Sequence, residues 1–168
     1  MTKTKRYLLV IFCVAAIVLG TLSVYTSQVV TIRAAGTSMI PTIQPGEQVS
    51  FLPFWFSEPA PGKVVLISHN NQFIVKRIIA AAGDSVSVAP DGTVTINGVA
   101  ANDRYAAPRP IEDPTQEAWT GGYSGASVIV PEGCYFVMGD NRAASIDSRD
   151  AKIGMIPRSS IIGYFRGH

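Results

Sequence analysis

The chain has 168 residues, with 14 lysines and arginines against 12 acidic residues, and 47% hydrophobic but only 15% charged positions. That length accommodates one modest domain, and a mean hydropathy of +0.24 at so low a charge excludes a disordered chain; the near balance of charge excludes a nucleic-acid binder, which needs a basic surface. The apolar excess places part of the chain in a membrane.

Lys3, Lys5 and Arg6 precede every acid, the first of which is Glu47; without these three, 11 basic residues face 12 acidic ones, so the basic character is a terminal flank. From Tyr7 to Ile32 no residue is charged. As a helix, the run from Tyr7 to Tyr25 would span roughly 28 Å, about one hydrocarbon core. It predicts a single transmembrane anchor over 7–25, a cytoplasmic flank at 1–6 and an extracytoplasmic domain over 26–168, because positively charged flanks stay inside. A cleavable leader is the competing reading, but the run exceeds the usual apolar core of about 7–15 residues and only weak sites such as Thr21-Leu22-Ser23 close it. Cys13 lies inside the apolar run and Cys134 far along the chain, so no disulfide is expected, and neither has His or Cys neighbours at metal-ligand spacing.

Beyond the anchor the pattern changes to short, turn-bounded runs rich in Val, Ile, Phe and Tyr, which predict strands. They are Val29 to Ile32, Val64 to Ser68, Phe73 to Ile79, Ser85 to Val88, Thr93 to Ile96, Ser127 to Val130, Tyr135 to Met138 and Ile161 to Phe165. The expected fold is mainly β, an all-β domain tethered by one helix. Ala89-Pro90-Asp91-Gly92 predicts a hairpin turn between two of the strands, with Asn97-Gly98 following at once. Phe51 to Phe56, large apolar residues around Pro53, reads as a loop tip that either enters the membrane interface or packs into the core. About residues 97–127, rich in proline and glycine from Asn102 to Ala126, predict a surface excursion or small accessory lobe.

A nucleophile elbow G-x-S-x-G is absent, since Gly36-Thr37-Ser38-Met39-Ile40 and Gly122-Tyr123-Ser124-Gly125-Ala126 both miss the final glycine. With only His69 and His168 in the chain, a Ser-His-Asp triad would rest on His69 in a polar loop. The other way to activate a serine is a lysine kept neutral. Lys76 lies in the apolar run Phe73-Ile74-Val75-Lys76-Arg77-Ile78-Ile79, where desolvation lowers a lysine pKa; unshifted, on the order of one lysine in a thousand is neutral near pH 7. Ser38 stands before Pro41, which fixes its own φ and biases Ile40 towards an extended conformation. Lys63, after Pro61-Gly62, and Lys152, among Asp150, Ala151 and Ile153, are the alternative bases and both read as solvated.

Three segments in this order, Gly36 to Ile43, Phe73 to Asp84 and Gly139-Asp140-Asn141-Arg142-Ala143-Ala144-Ser145-Ile146-Asp147-Ser148-Arg149, closely resemble the signature segments of bacterial type I signal peptidases. Pro61 to Leu66 resembles a weaker fourth segment, so the resemblance runs from about Gly36 to Gly163. It implies a membrane-anchored serine protease with Ser38 as nucleophile and Lys76 as general base, and with Ser145 hydrogen-bonded to Lys76. It further implies an Asp147–Arg149 pair, Asp140 anchoring its turn through backbone N–H groups or an arginine, Arg142 in the same support loop, and the Ser38 backbone N–H as oxyanion donor. Gly36 occupies the position where some members carry a second, hydroxyl donor. By analogy Ala34, Ala35, Met39 and Ile78 would line substrate pockets. Ala143-Ala144 stand where members commonly have Asp-Asn, and Asp150 to Ile153 puts four residues between Arg149 and Gly154 where two are usual.

The resemblance implies a signal-peptide-cleaving endopeptidase of the cytoplasmic (inner) membrane, acting on preproteins at the bilayer, with no metal, cofactor or nucleic acid. Two other readings are a peptidase dedicated to a pilin- or conjugation-type precursor, and a catalytically silent, membrane-tethered β-domain that binds extended peptides.

Overall fold

The computed structural model describes residues 3–27, 29–54, 58–89, 93–101, 105–106, 127–165 and 167. Helix α1 spans Lys3–Ser27, and its window from Lys3 to Val24 has a mean hydropathy of 2.6 with none of it buried inside the protein. An apolar helix that is buried against none of the described residues, and is long enough to span about 30 Å of hydrocarbon, suits a bilayer. It starts earlier than the sequence suggests, taking in Lys3, Lys5 and Arg6, because no proline or glycine interrupts those first turns.

The strands are β1 (Val30–Arg33), β2 (Gln48–Leu52), β3 (Val64–His69), β4 (Gln72–Ala81), β5 (Ser85–Val88), β6 (Val94–Ile96), β7 (Val99–Ala100), β8 (Val128–Ile129), β9 (Cys134–Met138), β10 (Ile156–Pro157) and β11 (Ile161–Phe165). They form a larger sheet in the order β1-β2-β11-β3-β4-β9-β10 and a smaller one in the order β7-β6-β5-β8, with antiparallel pairing throughout. The mainly β expectation holds. So does the hairpin of β5 and β6, in which Val88 pairs Val94, although the turn residues 90–92 lie outside the described residues. The excursion is described only at 105–106 in its interior, so its form lies outside the described residues as well.

Strands β3 and β4 form the hairpin on which the site is built. Asn70 and Asn71 have φ of 47° and 61°, the left-handed pair that a two-residue hairpin turn of matching twist requires and that asparagine tolerates. Their register sets Lys76 opposite Val65 and Arg77 opposite Val64. β3 is buried on both faces, Val64 and Leu66 towards one apolar cluster with Met39, Ile43, Val49 and Phe51, and Val65 and Ile67 towards another with Ile78, Val137, Ile156 and Ile161. Alternate side chains point to opposite faces, so such a strand needs an unbroken apolar run, here Val64-Val65-Leu66-Ile67. A third cluster, with Ala80, Val86, Val88, Val94, Phe136 and Met138, joins the smaller sheet to the larger.

The aromatic run divides. Phe51 and Leu52 are the end of β2, with Phe51 buried beside Val49 by strict alternation, and Phe54 packs against Tyr164 at 5.0 Å between ring centroids. Trp55 and Phe56 lie outside the described residues. A loop-tip reading of the whole run therefore fails at its first two residues, since Pro53 falls after the strand rather than within it.

Candidate active site

After β1 the chain turns sharply through residues 37–43, with a cis peptide between Ile40 and Pro41, and this turn presents Ser38 to β4. Lys76 Nζ donates to Ser38 Oγ at 3.0 Å. Lys76 is 5% exposed, and burial pushes its pKa below the ordinary 10.5; the Asp147 carboxylate acts against this shift and the Arg149 guanidinium adds to it. Desolvation favours the neutral amine, the form that can accept a proton. Neither alternative base shares this setting: Lys63 sits over the Tyr164 and Phe54 rings, and Lys152 is exposed, its carbonyl bonded to His69 Nε2 at 3.2 Å.

Arg77, next along β4, must place its charge on the opposite face from Lys76, and the fold meets it with Asp140. Its Nε and Nη2 bond Asp140 Oδ1 and Oδ2 at 2.8 and 2.6 Å, its Nη1 bonds the Gly62 carbonyl at 2.6 Å, and the Tyr105 ring stacks on it with its centroid 3.8 Å away. Thr42 Oγ1 donates to Asp140 and accepts from Arg77. One buried ion pair thus ties the serine turn, the lysine strand and the loop after β9. The sequence left Asp140 with backbone N–H groups or an unnamed arginine as alternatives, and gave no sign of Thr42. Asp140→Ala is expected to destabilise the protein by about 3–5 kcal/mol, because it leaves the Arg77 guanidinium buried without its counter-charge. Thermal denaturation in detergent would read this; a melting temperature unchanged from wild type would contradict it.

A second pair holds the loop itself. Arg149 Nε and Nη2 bond Asp147 Oδ1 and Oδ2 at 2.8 and 2.9 Å, as the resemblance implies, and Arg149 Nη2 also bonds the carbonyls of Arg142 and Ser145. Asp147 Oδ2 accepts the Gly139 N–H at 2.9 Å, and Ser148 Oγ accepts the Val137 N–H at 2.9 Å, pinning the loop to β9. Arg142 Nε donates to the Gly139 carbonyl. Ala143 and Ala144 fit a turn closed by Ala144 N–H to the Asn141 carbonyl, and the lengthened stretch after Arg149 closes on Asp150, whose carbonyl accepts from Ile153 and Gly154. Neither departure disturbs the dyad.

Two expectations are corrected. Ser145 Oγ is buried without a hydrogen-bond partner among the described residues, so the bond to Lys76 is not formed; the amine donates to Ser38, and the Ser145 side chain fills the space that a Cβ on Gly139 would take. Ile78 does not line the groove. Two residues beyond Lys76, it is wholly buried among Val65, Ile67 and Val137.

The groove has a volume of about 380 Å³ and is lined by Ile32, Arg33, Ala34, Ala35, Gly36, Ser38, Met39 and Ile43 on one side and Phe73 to Lys76 on the other. Ala34, Ala35 and Met39 are among these residues. A Cβ on Gly36 would meet nothing within 4 Å, so that position offers open space and no side-chain donor. Among the described residues no group of three or more His, Cys, Asp or Glu could hold a metal.

The family model described as signal peptidase, peptidase S26, matches residues 4–167. The chain belongs to this family. It is 37% identical over 133 residues to a signal peptidase I of Bacillus licheniformis, covering 76% of this chain and 69% of that one, and 36% identical over 133 residues to signal peptidase I T of Bacillus subtilis, covering 76% and 67%. A crystal structure of a signal peptidase I from Enterococcus faecalis aligns over 64% of this chain and 97% of its own, with 27% identity and a TM-score of 0.47. As a member of the signal peptidase family the protein is a serine endopeptidase, anchored in a membrane.

With Lys76 as the general base of this signal peptidase, the neutral amine would be the active form, and kcat/KM is then expected to rise with pH through an acid limb below 10.5. Between the folded pKa of Lys76 and 10.5 the unfolded chain binds more protons, so stability also rises with pH across that window; below it the penalty for the buried ammonium is present in full. A pH profile of preprotein cleavage with its acid limb at or above 10.5 would contradict this assignment.

Proposed function

We propose that Ser38 is the nucleophile and Lys76 the general base with which this peptidase removes signal peptides from exported preproteins. The observation that carries the reading is the 3.0 Å bond from an almost fully buried lysine to a serine in an apolar groove. Lys76 takes the Ser38 proton as Oγ attacks the scissile carbonyl, and the Ser38 N–H donates to the oxygen that becomes negative. The Lys76 ammonium returns the proton to the leaving amine as the C–N bond breaks. Water, activated by the same amine, then hydrolyses the acyl-enzyme. Asp147 raises the proton affinity of Lys76 and so eases the charged intermediate state, while Asp140, Arg142, Ser145 and Arg149 act as supports.

β1 is an edge of the larger sheet, and an extended substrate can lie along it and the chain that follows, as an added strand. Ala34, Ala35 and Met39 shape the groove for small side chains before the cut. With Lys3, Lys5 and Arg6 at its head, α1 holds the N-terminus in the cytoplasm and the β-domain outside the cytoplasmic membrane, where it meets preproteins in the bilayer. The test is product mass after incubation with a preprotein bearing Ala-x-Ala in lipid vesicles. Cleavage is expected after the final alanine, and leucine in place of that alanine is expected to lower the rate at least about tenfold, since a shallow pocket rejects added bulk. Equal rates, or cleavage elsewhere, would overturn the groove assignment.

A further inference from the structure

We propose that Asn141 is a positioning residue for oxyanion stabilisation: it grips the two peptide groups that flank the nucleophile and so aims the Ser38 N–H into the groove. Its backbone N–H donates to the Ser38 carbonyl at 3.0 Å, and its side-chain Nδ2 donates to the Thr37 carbonyl at 3.2 Å. The Thr37–Ser38 peptide is planar and trans, so its C=O and its N–H point in opposite directions. The Asn141 side chain holds that carbonyl from the loop after β9, outside the residues that line the groove, together with the Ile40 N–H, which donates to it at 3.2 Å from within the turn, and the two turn the Ser38 N–H the other way. Ser38 itself lines the groove, and its N–H has no acceptor among the described residues.

The two bonds differ in what they ask of the sequence. Any residue at 141 except proline keeps the backbone bond, but the bond to Thr37 needs a short side chain with a donor, which a carboxamide supplies and a carboxylate does not. Asparagine thus adds a side-chain grip on the nucleophile's peptide plane to the Ile40 N–H bond that the turn itself supplies.

The inference rests on the reading of Ser38 as nucleophile and its N–H as oxyanion donor. The experiment uses the full chain in detergent, with Asn141→Asp and Asn141→Ala. Three quantities are measured: kcat and KM on a preprotein, inhibition by a peptide aldehyde ending in alanine, and binding of the corresponding peptide amide. Ser38 Oγ adds to the aldehyde carbon, its proton passing through Lys76 to the new hydroxyl or leaving the oxygen anionic in the oxyanion position, so the aldehyde reports that position and the amide does not. Both variants are expected to lower kcat about tenfold with KM within about twofold, and to weaken the aldehyde by a similar factor while amide binding stays unchanged. Asn141→Asp, which preserves volume and the backbone bond, keeps the test valid where alanine impairs folding. The proposal is overturned when kcat stays within twofold of wild type in a folded variant, or when aldehyde and amide weaken equally. Failure of the underlying reading looks different: Ser38→Ala would then still cleave, and the wild type would form no adduct at Ser38.

Discussion

Gly139→Ala is expected to lower kcat/KM by about 100-fold in a protein that still folds. The added Cβ would lie 2.5 Å from both the Ser38 carbonyl oxygen and Ser145 Cβ, and closer still to Ser145 Oγ. Real side chains do not tolerate such contacts, so either the loop or the serine turn must move. Both are fastened. The Gly139 N–H is held by Asp147, and the Ser38 carbonyl by the Asn141 N–H, so the displacement falls on the nucleophile's own peptide. A shift near 1 Å at the reacting atoms costs about 100-fold in rate, while overpacking costs about 1–3 kcal/mol in stability. Adding Ser145→Ala removes the hydroxyl from the clash but leaves the Ser38 carbonyl in place, so the double variant should recover only part of the loss. Steady-state cleavage of a preprotein measures both, and wild-type activity in Gly139→Ala would contradict this packing.

What the sequence makes legible depends on the range of the interaction. β5 and β11 fall on the residues their apolar alternation suggests, and β4 needs only small extensions at each end, because local periodicity suffices for strands with one or two buried faces. β7 and β10 have two residues each and carry no period to detect. β2 was obscured by composition: Phe51 looks like a member of the aromatic cluster beyond Pro53, yet by position it alternates with Val49. Ser38 and Lys76 were legible through the resemblance of their segments, and the alternation of β4 explains how one lysine there becomes buried.

Partners far apart in the chain were less accessible. Asp140 and Arg77 are separated by 63 residues, and nothing local names one as the other's partner. A signal did exist, since an arginine inside an apolar strand needs a counter-charge, and the acid in the third matching segment was a candidate. Ser145 shows the opposite limit. The resemblance implies a bond to Lys76, but a hydroxyl's partner is decided by sub-ångström packing, here against Gly139, which no pattern of residue types encodes. The analogy places Ile78 in the substrate pocket, whereas it is wholly buried among Val65, Ile67 and Val137, a matter of packing that the residue type does not encode.

The dyad is the centre of the account, and cleavage of a preprotein in lipid by wild type, Ser38→Ala, Lys76→Ala and the double variant tests it most directly. Each single substitution is expected to lower kcat by at least about 1000-fold, because serine without a base is a poor nucleophile and lysine without the serine has nothing to activate. The double variant should be no slower than either single one, since two residues that act as a unit are lost together. Lys76→Arg should be as inactive as Lys76→Ala, because a guanidinium stays protonated throughout the accessible pH range. Folded Ser38→Ala or Lys76→Ala protein that cleaves within tenfold of wild type would contradict the assignment of nucleophile and base.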